Sequence, residues 1–258
     1  MSTIITLCTD FGTQDGYVAA MKGVILSIAP QARIVDITHE VARQRVGEGA
    51  FVFYSACRYF PVETIHLVVV DPKVGSARRA LAVRTANYRF VAPDNGILSY
   101  VLRKDPPLEI VSLTRKAYWR EAVSHTFHGR DIFAPVAAHL ANGVSLTKLG
   151  EPIDDLVWLD APQPAQHADG SISGHVIHID RFGNVITNIP AEMLTSRRDW
   201  RVWVGNASVT GLSTTYASGE PGDLIALIGS HGNLEVAIRE GDAARAAGVG
   251  VGAEVWVR

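Results

Sequence analysis

The 258-residue chain is 47% hydrophobic and 19% charged, with 24 Lys+Arg against 26 Asp+Glu, a composition that suits a folded soluble protein and excludes disordered and fibrous classes. A formal net charge of -2 leaves no basic excess to neutralise a phosphate backbone, so the expected partner is a small molecule and not nucleic acid. No apolar run approaches the ~20 residues of a membrane span.

Met1–Leu7 has neither a cationic leader nor a small-residue cleavage site, so it reads as a first strand and the expected location is the cytoplasm. Ile4–Cys8 is that strand; Thr9–Thr13 is a turn and Asp15–Ala29 a helix, with Asp15 or a neighbour as its cap. Arg33–Thr38 (strand), Val46–Tyr59 (helix) and Ile65–Val70 (strand) continue the alternation. The last strand is continuously apolar, as expected of burial on both faces. Cys8 and Cys57, the two cysteines present, fall in a strand and a helix pattern and read as buried thiols. A strand pair follows at Ala80–Thr85 and Tyr88–Ala92, then a strand at Glu109–Leu113 and a helix from about Asp131 to Ala141. The expected fold of this half is an α/β domain with a mostly parallel sheet, residues 1–160.

Residues 161–170 carry prolines and no apolar period, as a linker does. From 171 to 258 the pattern becomes short strands separated by Gly, Asn, Ser and Pro: Ser171–Ile179, Val185–Ile189, Trp200–Val204, Asp223–Ile228, Leu234–Ile238 and Glu254–Val257. That half is expected to be an all-β, barrel-like domain. Gly248–Gly252 lies between strands with no helix after it and reads as a turn, not a nucleotide loop.

Ligands of parallel sheets bind beyond the carboxyl ends of the strands, so the loops there are the places to look. Asp10 follows the first strand and could accept hydrogen bonds from a ribose diol; Asp15 lies near it. Asp71 ends the third strand with Arg78 seven residues on. That pair is equally well read as a surface ion pair or as an oriented catalytic carboxylate. His128 is needed neither as the cap, a role Asp131 fits, nor as the turn residue, a role Gly129 fits. Asn95 sits in the turn signal Asp94-Asn95-Gly96, and His39 in another loop. The scattered histidines show no metal-ligand spacing, so no metal is expected. Asp180-Arg181-Phe182-Gly183-Asn184 and Ser230-His231-Gly232-Asn233 each join two strands of the second half.

Thr9-Asp10-Phe11-Gly12-Thr13 with Asp15-Gly16-Tyr17, Val70-Asp71-Pro72 with Val74-Gly75 and Arg78-Arg79, Pro93-Asp94-Asn95-Gly96, Phe127-His128-Gly129-Arg130-Asp131, and Asp180 with Phe182-Gly183-Asn184 together resemble the S-adenosyl-L-methionine (SAM) hydroxide adenosyltransferase family. These are adenosine-forming SAM hydrolases related to fluorinases and chlorinases. The resemblance runs through nearly the whole chain in order. It implies an α/β domain followed by a β-barrel domain, and a homotrimer with active sites shared between neighbouring subunits. It implies Asp71, Arg78 and His128 around the attacking water and Asp10 on the ribose. Asp15 and Asn95 are carried over with the substrate-binding set. Asp180 and Ser230 fall at the methionine part, and Asn184 and Tyr216 at the adenine. Phe182 and His231 complete the binding set. No cofactor is implied.

Two positions depart from relatives: Lys73 stands where many have Gly, and His231 where halogenating relatives have Arg. Those relatives also have Tyr in place of Asp71; a carboxylate there repels halide and favours water. The expected reaction is hydrolysis of SAM to adenosine and L-methionine by attack of water at C5′. The alternatives are a halogenase-like nucleoside synthase and a non-catalytic SAM or adenosine binding module.

Overall fold

Alternating strands and helices build the first half of the chain. The computed structural model describes residues 2–195 and 199–258, which divide into two units, Met1–Leu159 and Asp160–Arg258. The first contains β1 (Ile4–Thr9), α1 (Tyr17–Ile28), β2 (Arg33–Thr38), α2 (Val46–Cys57), β3 (Ile65–Val69), β4 (Ala80–Arg84) and β5 (Arg89–Pro93). It continues with α3 (Ser99–Lys104), β6 (Glu109–Leu113), α4 (Ala134–Ala141), α5 (Leu146–Leu149) and β7 (Gly150–Pro152).

The sheet order is β2-β1-β3-β5-β4-β6-β7. β1 pairs parallel with β2 and β3, and β3 with β5; the ladders β5–β4, β4–β6 and β6–β7 are antiparallel. The sheet is therefore mixed, parallel from β2 to β5 and antiparallel from β5 to β7, so the expectation of a mostly parallel sheet holds only in part. The short connection between β4 and β5 allows only an antiparallel hairpin, whereas each parallel step needs a long crossover.

Alternation along β1 and β3 divides the core. Ile5, Leu7, Ile65, Leu67 and Val69 pack with Met21 and Ile25 of α1 and Val136 and Leu140 of α4. Cys8, Val68 and Val70 pack on the other face with Phe53 and Cys57 of α2 and Val101 and Leu102 of α3. Burial pushes both thiols up to about 12, so they remain neutral packing groups. The helix α1 begins at Gly16 without a side-chain cap, so Asp15 does not fill the capping role read from the sequence.

Thr6 and His66 face each other in the β1–β3 register. His66 Nδ1 pairs with Thr6 Oγ1 at 2.7 Å, while Nε2 has no partner among the described residues. Rings of Phe53, Phe60, Tyr88 and Phe90 surround it, and burial pushes its pKa down to about 3. An unfolded chain takes that proton near pH 6.5 and the native state refuses it, so stability falls as pH drops from about 6.5 toward 3. The expected loss between pH 7 and pH 4 from this residue is about 3 kcal/mol, at 1.36 kcal/mol per unit. Urea midpoints should fall more steeply over that interval in the wild type than in a Thr6→Val/His66→Phe variant. Equal slopes would remove His66 from the account.

The second unit contains β8 (Ala165–Gln166), β9 (Ile172–Ile179), β10 (Val185–Pro190), β11 (Arg201–Val204), β12 (Ala207–Thr210), β13 (Leu224–Ile228), β14 (Asn233–Ile238), α6 (Ala243–Ala247) and β15 (Glu254–Val257). The ladders are antiparallel in the order β12-β11-β15-β9-β10-β14-β13, with β8 on β9. Past β12, Ser213 bridges Leu227 of β13 and donates its N–H to Ala226 O at 2.7 Å, so the sheet nearly closes into a barrel. Trp200, Val202, Val236, Val255 and Val257 fill its interior. Gly248 ends α6 in the left-handed conformation at φ 66°, so the glycine-rich stretch 248–252 is a helix stop and a turn.

Candidate active site

β1 and β3 end in register, Thr9 opposite Val69, so Asp10 and Asp71 emerge from the same edge of the sheet. Both line a cavity of about 610 Å³ together with Phe11, Tyr17, Phe127 and His128, a volume in the range of small-ligand sites. The rings of Phe11, Tyr17 and Phe127 meet edge to face, with centroids 5.2–6.1 Å apart. They give the cavity an apolar wall.

Asp71 and Arg78 form a buried pair, their side chains 4% and 6% exposed. Arg78 Nε donates to Asp71 Oδ1 at 3.0 Å and Oδ2 at 2.8 Å, and Nη2 to Oδ2 at 2.5 Å. The same Nη2 reaches His128 Nδ1 at 2.9 Å. The guanidinium lies 5.1 Å from the centre of the Phe133 ring, whose face supports it. Because a guanidinium can only donate, Nδ1 accepts and the neutral ring carries its proton on Nε2. Burial first, then the charge of Arg78, pushes the His128 pKa below its ordinary value.

Local sequence builds this arrangement. Asn95 Nδ2 donates to Val70 O at 2.8 Å and Asn95 Oδ1 accepts from Ile97 N at 3.2 Å, so Asn95 ties down the strand end that carries Asp71. Gly75 has φ 78°, and a Cβ there would run into the His125 carbonyl oxygen; glycine lets the loop after Asp71 close against the loop before His128.

Asp131 is not a helix cap. It lies in a single π turn, Gly129–Phe133, that precedes α4. Arg130 holds it from Nε (2.7 Å to Oδ1) and Nη2 (2.9 Å to Oδ2), Arg120 Nη1 from 3.1 Å, and the Ser124 N–H from 2.8 Å. Burial pushes the Asp131 pKa up, but these hydrogen bonds outweigh it and hold the carboxyl below its ordinary range. Asp131 thereby anchors both ends of the loop that presents Thr126, Phe127 and His128 to the cavity.

Asp10 Oδ2 accepts the Gln44 N–H at 2.8 Å. Asp15 is exposed and lines a neighbouring space of about 590 Å³ with Asp10 and His39. His39 itself is buried, its Nδ1 2.8 Å from Thr9 Oγ1, and serves the loop. The pairing of Asp71 with Arg78 could be read from spacing; the link to His128, fifty residues on, could not. Sequence reasoning assigned no role to Tyr17, which opens α1, or to Phe127 and Gln44, and the motif spacing carries no signal for them beyond their positions next to the loops.

In the second unit, Asp180 Oδ1 accepts the N–H groups of Phe182 and Asn184, both at 2.9 Å, and Oδ2 accepts Asn184 Nδ2 at 3.0 Å. This fixes the β9–β10 turn and leaves Phe182 76% exposed. Tyr216 donates its hydroxyl to Glu235 Oε1 at 2.6 Å, and His231 Nε2 lies 3.1 Å from Glu235 Oε2. Ser230 is an exposed neighbour in the same β13–β14 turn. The structure thus groups Asp10, Asp71, Arg78 and His128 in the first unit and Tyr216 and His231 in the second. Asn95 instead supports Asp71 from behind. Among the described residues, no group of three or more His, Cys, Asp or Glu could hold a metal ion.

A family model described as the SAM hydroxide adenosyltransferase N-terminal domain matches residues 5–150, and one for the C-terminal domain matches residues 174–256. A protein of Methanocaldococcus jannaschii named (R)-S-adenosyl-L-methionine hydrolase is 38% identical over 248 residues, covering 90% of this chain and 87% of its own length. A protein of Nocardia brasiliensis named fluorinase is 31% identical over 268 residues, covering 91% of this chain and 89% of its own. The crystal structure of an uncharacterized conserved protein from Thermotoga maritima matches with a TM-score of 0.91 at 37% identity, over 99% of both chains.

Proposed function

The chain belongs to the SAM hydroxide adenosyltransferase family, and from that premise we propose how its residues carry out the reaction. The protein is an enzyme that hydrolyses SAM to adenosine and L-methionine. Water attacks C5′; the C5′–O bond forms as the C5′–S bond breaks, and the bond's electron pair leaves with the sulfur of methionine. The sulfonium charge is lost with departure, and one water proton must go elsewhere. Because the sulfonium is already a good leaving group, the reaction needs no metal or cofactor, and the step that needs help is attack by water.

The observation that carries the assignment is Asp71, held by Arg78 at the wall of the cavity that also contains Asp10. Water in bulk has a pKa of about 15.7, so Asp71 does not ionise it in advance. It aligns the water and takes its proton as the C–O bond forms. A carboxylate offers about four acceptor positions, and the Arg78 contacts leave room for one water. His128 has its Nδ1 engaged by Arg78 and its proton on Nε2, so it acts as a donor that orients the water, and proton acceptance falls to Asp71. Asp10, with one oxygen on Gln44, holds the ribose diol with the other, and Asp15 lies at the margin of that subsite.

Asp180 and Ser230 serve the methionine part; Asn184, Tyr216 and Phe182 serve the adenine; His231 borders both. The exposed ring of Phe182 and the half-exposed ring of Tyr216 are what a surface that closes over a ligand offers. They support a homotrimer in which one subunit's barrel completes its neighbour's site. The relatives' name specifies the (R) form at sulfur, and we extend that preference to this chain.

Incubation with each sulfur epimer of SAM in oxygen-18 water tests the reading. The expected result is adenosine carrying one heavy oxygen in its 5′-hydroxyl, formed faster from the (R) epimer. Unlabelled adenosine would reject attack at C5′. The fluorinase likeness gives one competing reading, and a 5′-halogenated nucleoside formed in added fluoride or chloride would establish it.

A further inference from the structure

Glu235 lies in β14 opposite Ile186 of β10 and Leu227 of β13 and is 3% exposed. No arginine or lysine pairs with it among the contacts described. Its two oxygens instead receive the Tyr216 hydroxyl at 2.6 Å and His231 Nε2 at 3.1 Å. The Asn233 N–H donates to His231 Nδ1 at 3.2 Å, so the imidazole proton sits on Nε2 and points at the carboxylate. Burial and the bond to Glu235 push the Tyr216 pKa up, which keeps its hydroxyl a donor. The backbone leaves room for this cluster only because residue 229 is glycine: a Cβ there would run into both the Glu235 carboxylate and the His231 ring.

A buried carboxylate with no arginine or lysine partner among the described residues, held by a hydroxyl and an imidazole, is a costly way to hold a barrel together. What it does here is fix the rings of two side chains that reach the surface from different loops, the β12–β13 connection and the β13–β14 turn. We propose that Glu235 is a positioning residue of the substrate subsite, setting Tyr216 and His231 as a rigid pair for the nucleoside and amino-acid parts of the substrate. This rests on the hydrolase reading above.

Glu235→Gln separates positioning from bulk. The glutamine carbonyl can still accept from Tyr216, but its amide N–H then meets the His231 Nε2–H, and two donors face each other. One ring is released. The expected result is a KM for SAM raised about tenfold, the effect of one mispaired buried donor, with kcat changed by less than about threefold. Tyr216→Phe, at a half-exposed position that leaves the barrel intact, should raise KM by a smaller factor. Adding Glu235→Gln to it should cost less than the product of the two separate effects.

An unchanged KM in both variants, or effects that multiply in full, would overturn the proposal, as would a fall in kcat at constant KM. Adenosine affinity by titration calorimetry gives a readout apart from turnover. Weaker binding in either variant supports the positioning role even if the wild type fails to hydrolyse SAM, a failure that would count against the hydrolase reading alone. Equal adenosine affinity in all three proteins overturns the role.

Discussion

Replacing Asp71 by asparagine should lower kcat by about 100- to 10,000-fold, the range of a lost general base, with KM for SAM within about threefold of wild type. Asparagine keeps the shape but offers one carbonyl oxygen and one NH2. If the oxygen faces Arg78, the amide N–H faces the water, where an acceptor is required; if it is turned round, the NH2 confronts the Nε and Nη2 donors that now lie 2.5–3.0 Å from the carboxylate. Neither orientation provides a charged acceptor for the proton. The substitution also leaves the Arg78 side chain, 6% exposed, without its counter-charge, and breaking a buried pair costs about 3–5 kcal/mol. Thermal melts must accompany the assay so that loss of fold and loss of chemistry are separated. Chromatographic measurement of adenosine release decides the matter. A folded variant with kcat within tenfold of wild type would deny Asp71 its role.

Arg78→Lys is the second large effect. The guanidinium touches Asp71 Oδ1, Asp71 Oδ2 and His128 Nδ1 at once; an ammonium is a single point of charge and cannot span the three. We expect kcat to fall about 10- to 100-fold, the scale of a misplacement near 1 Å. The pH profile gives an independent reading. His128 works as the neutral ring, and its pKa is pushed below 6.5 by burial and by Arg78. Wild-type kcat/KM should therefore hold from pH 7 to below 6.5 and decline as protonation gives Nδ1 a proton that opposes Arg78. In the lysine variant that contact is lost, and the acid limb should move to higher pH. An acid limb that stays in place would separate His128 from Arg78.

The legible parts of the molecule are those set by local pattern. The continuous apolar run of β3 announced a strand with helices on both faces, and the alternation before it announced β1 and β2. The mixed sheet was not legible from that pattern, because β4 is nearly as buried and apolar as β3 and only its short connection to β5 reverses the chain. β12 and α6 went unread: β12 is four residues long, and α6 is five residues between an Asp242 cap and Gly248, lengths at which periodicity has nothing to average over. Within the site, the Asp71–Arg78 spacing allowed an ion pair but not its burial. The role of Asp131 needed a π turn to bring Arg130, its own neighbour, back onto its carboxylate. Glu235 sits in an apolar strand where one acidic letter carries no signal until Tyr216 and His231 arrive from other loops.

Thr9 and Val69 stand side by side in the ladder, and this has an engineering consequence. The spacing of the strand ends that carry Asp10 and Asp71 is set by the ladder between β1 and β3. Surface loops that touch neither Asp10 nor Asp71 can be lengthened or shortened with that spacing undisturbed. A single residue inserted within β1 or β3 would slide one acid by about 3.3 Å and turn the strand's inward faces outward, silencing the enzyme without touching any group that meets the substrate.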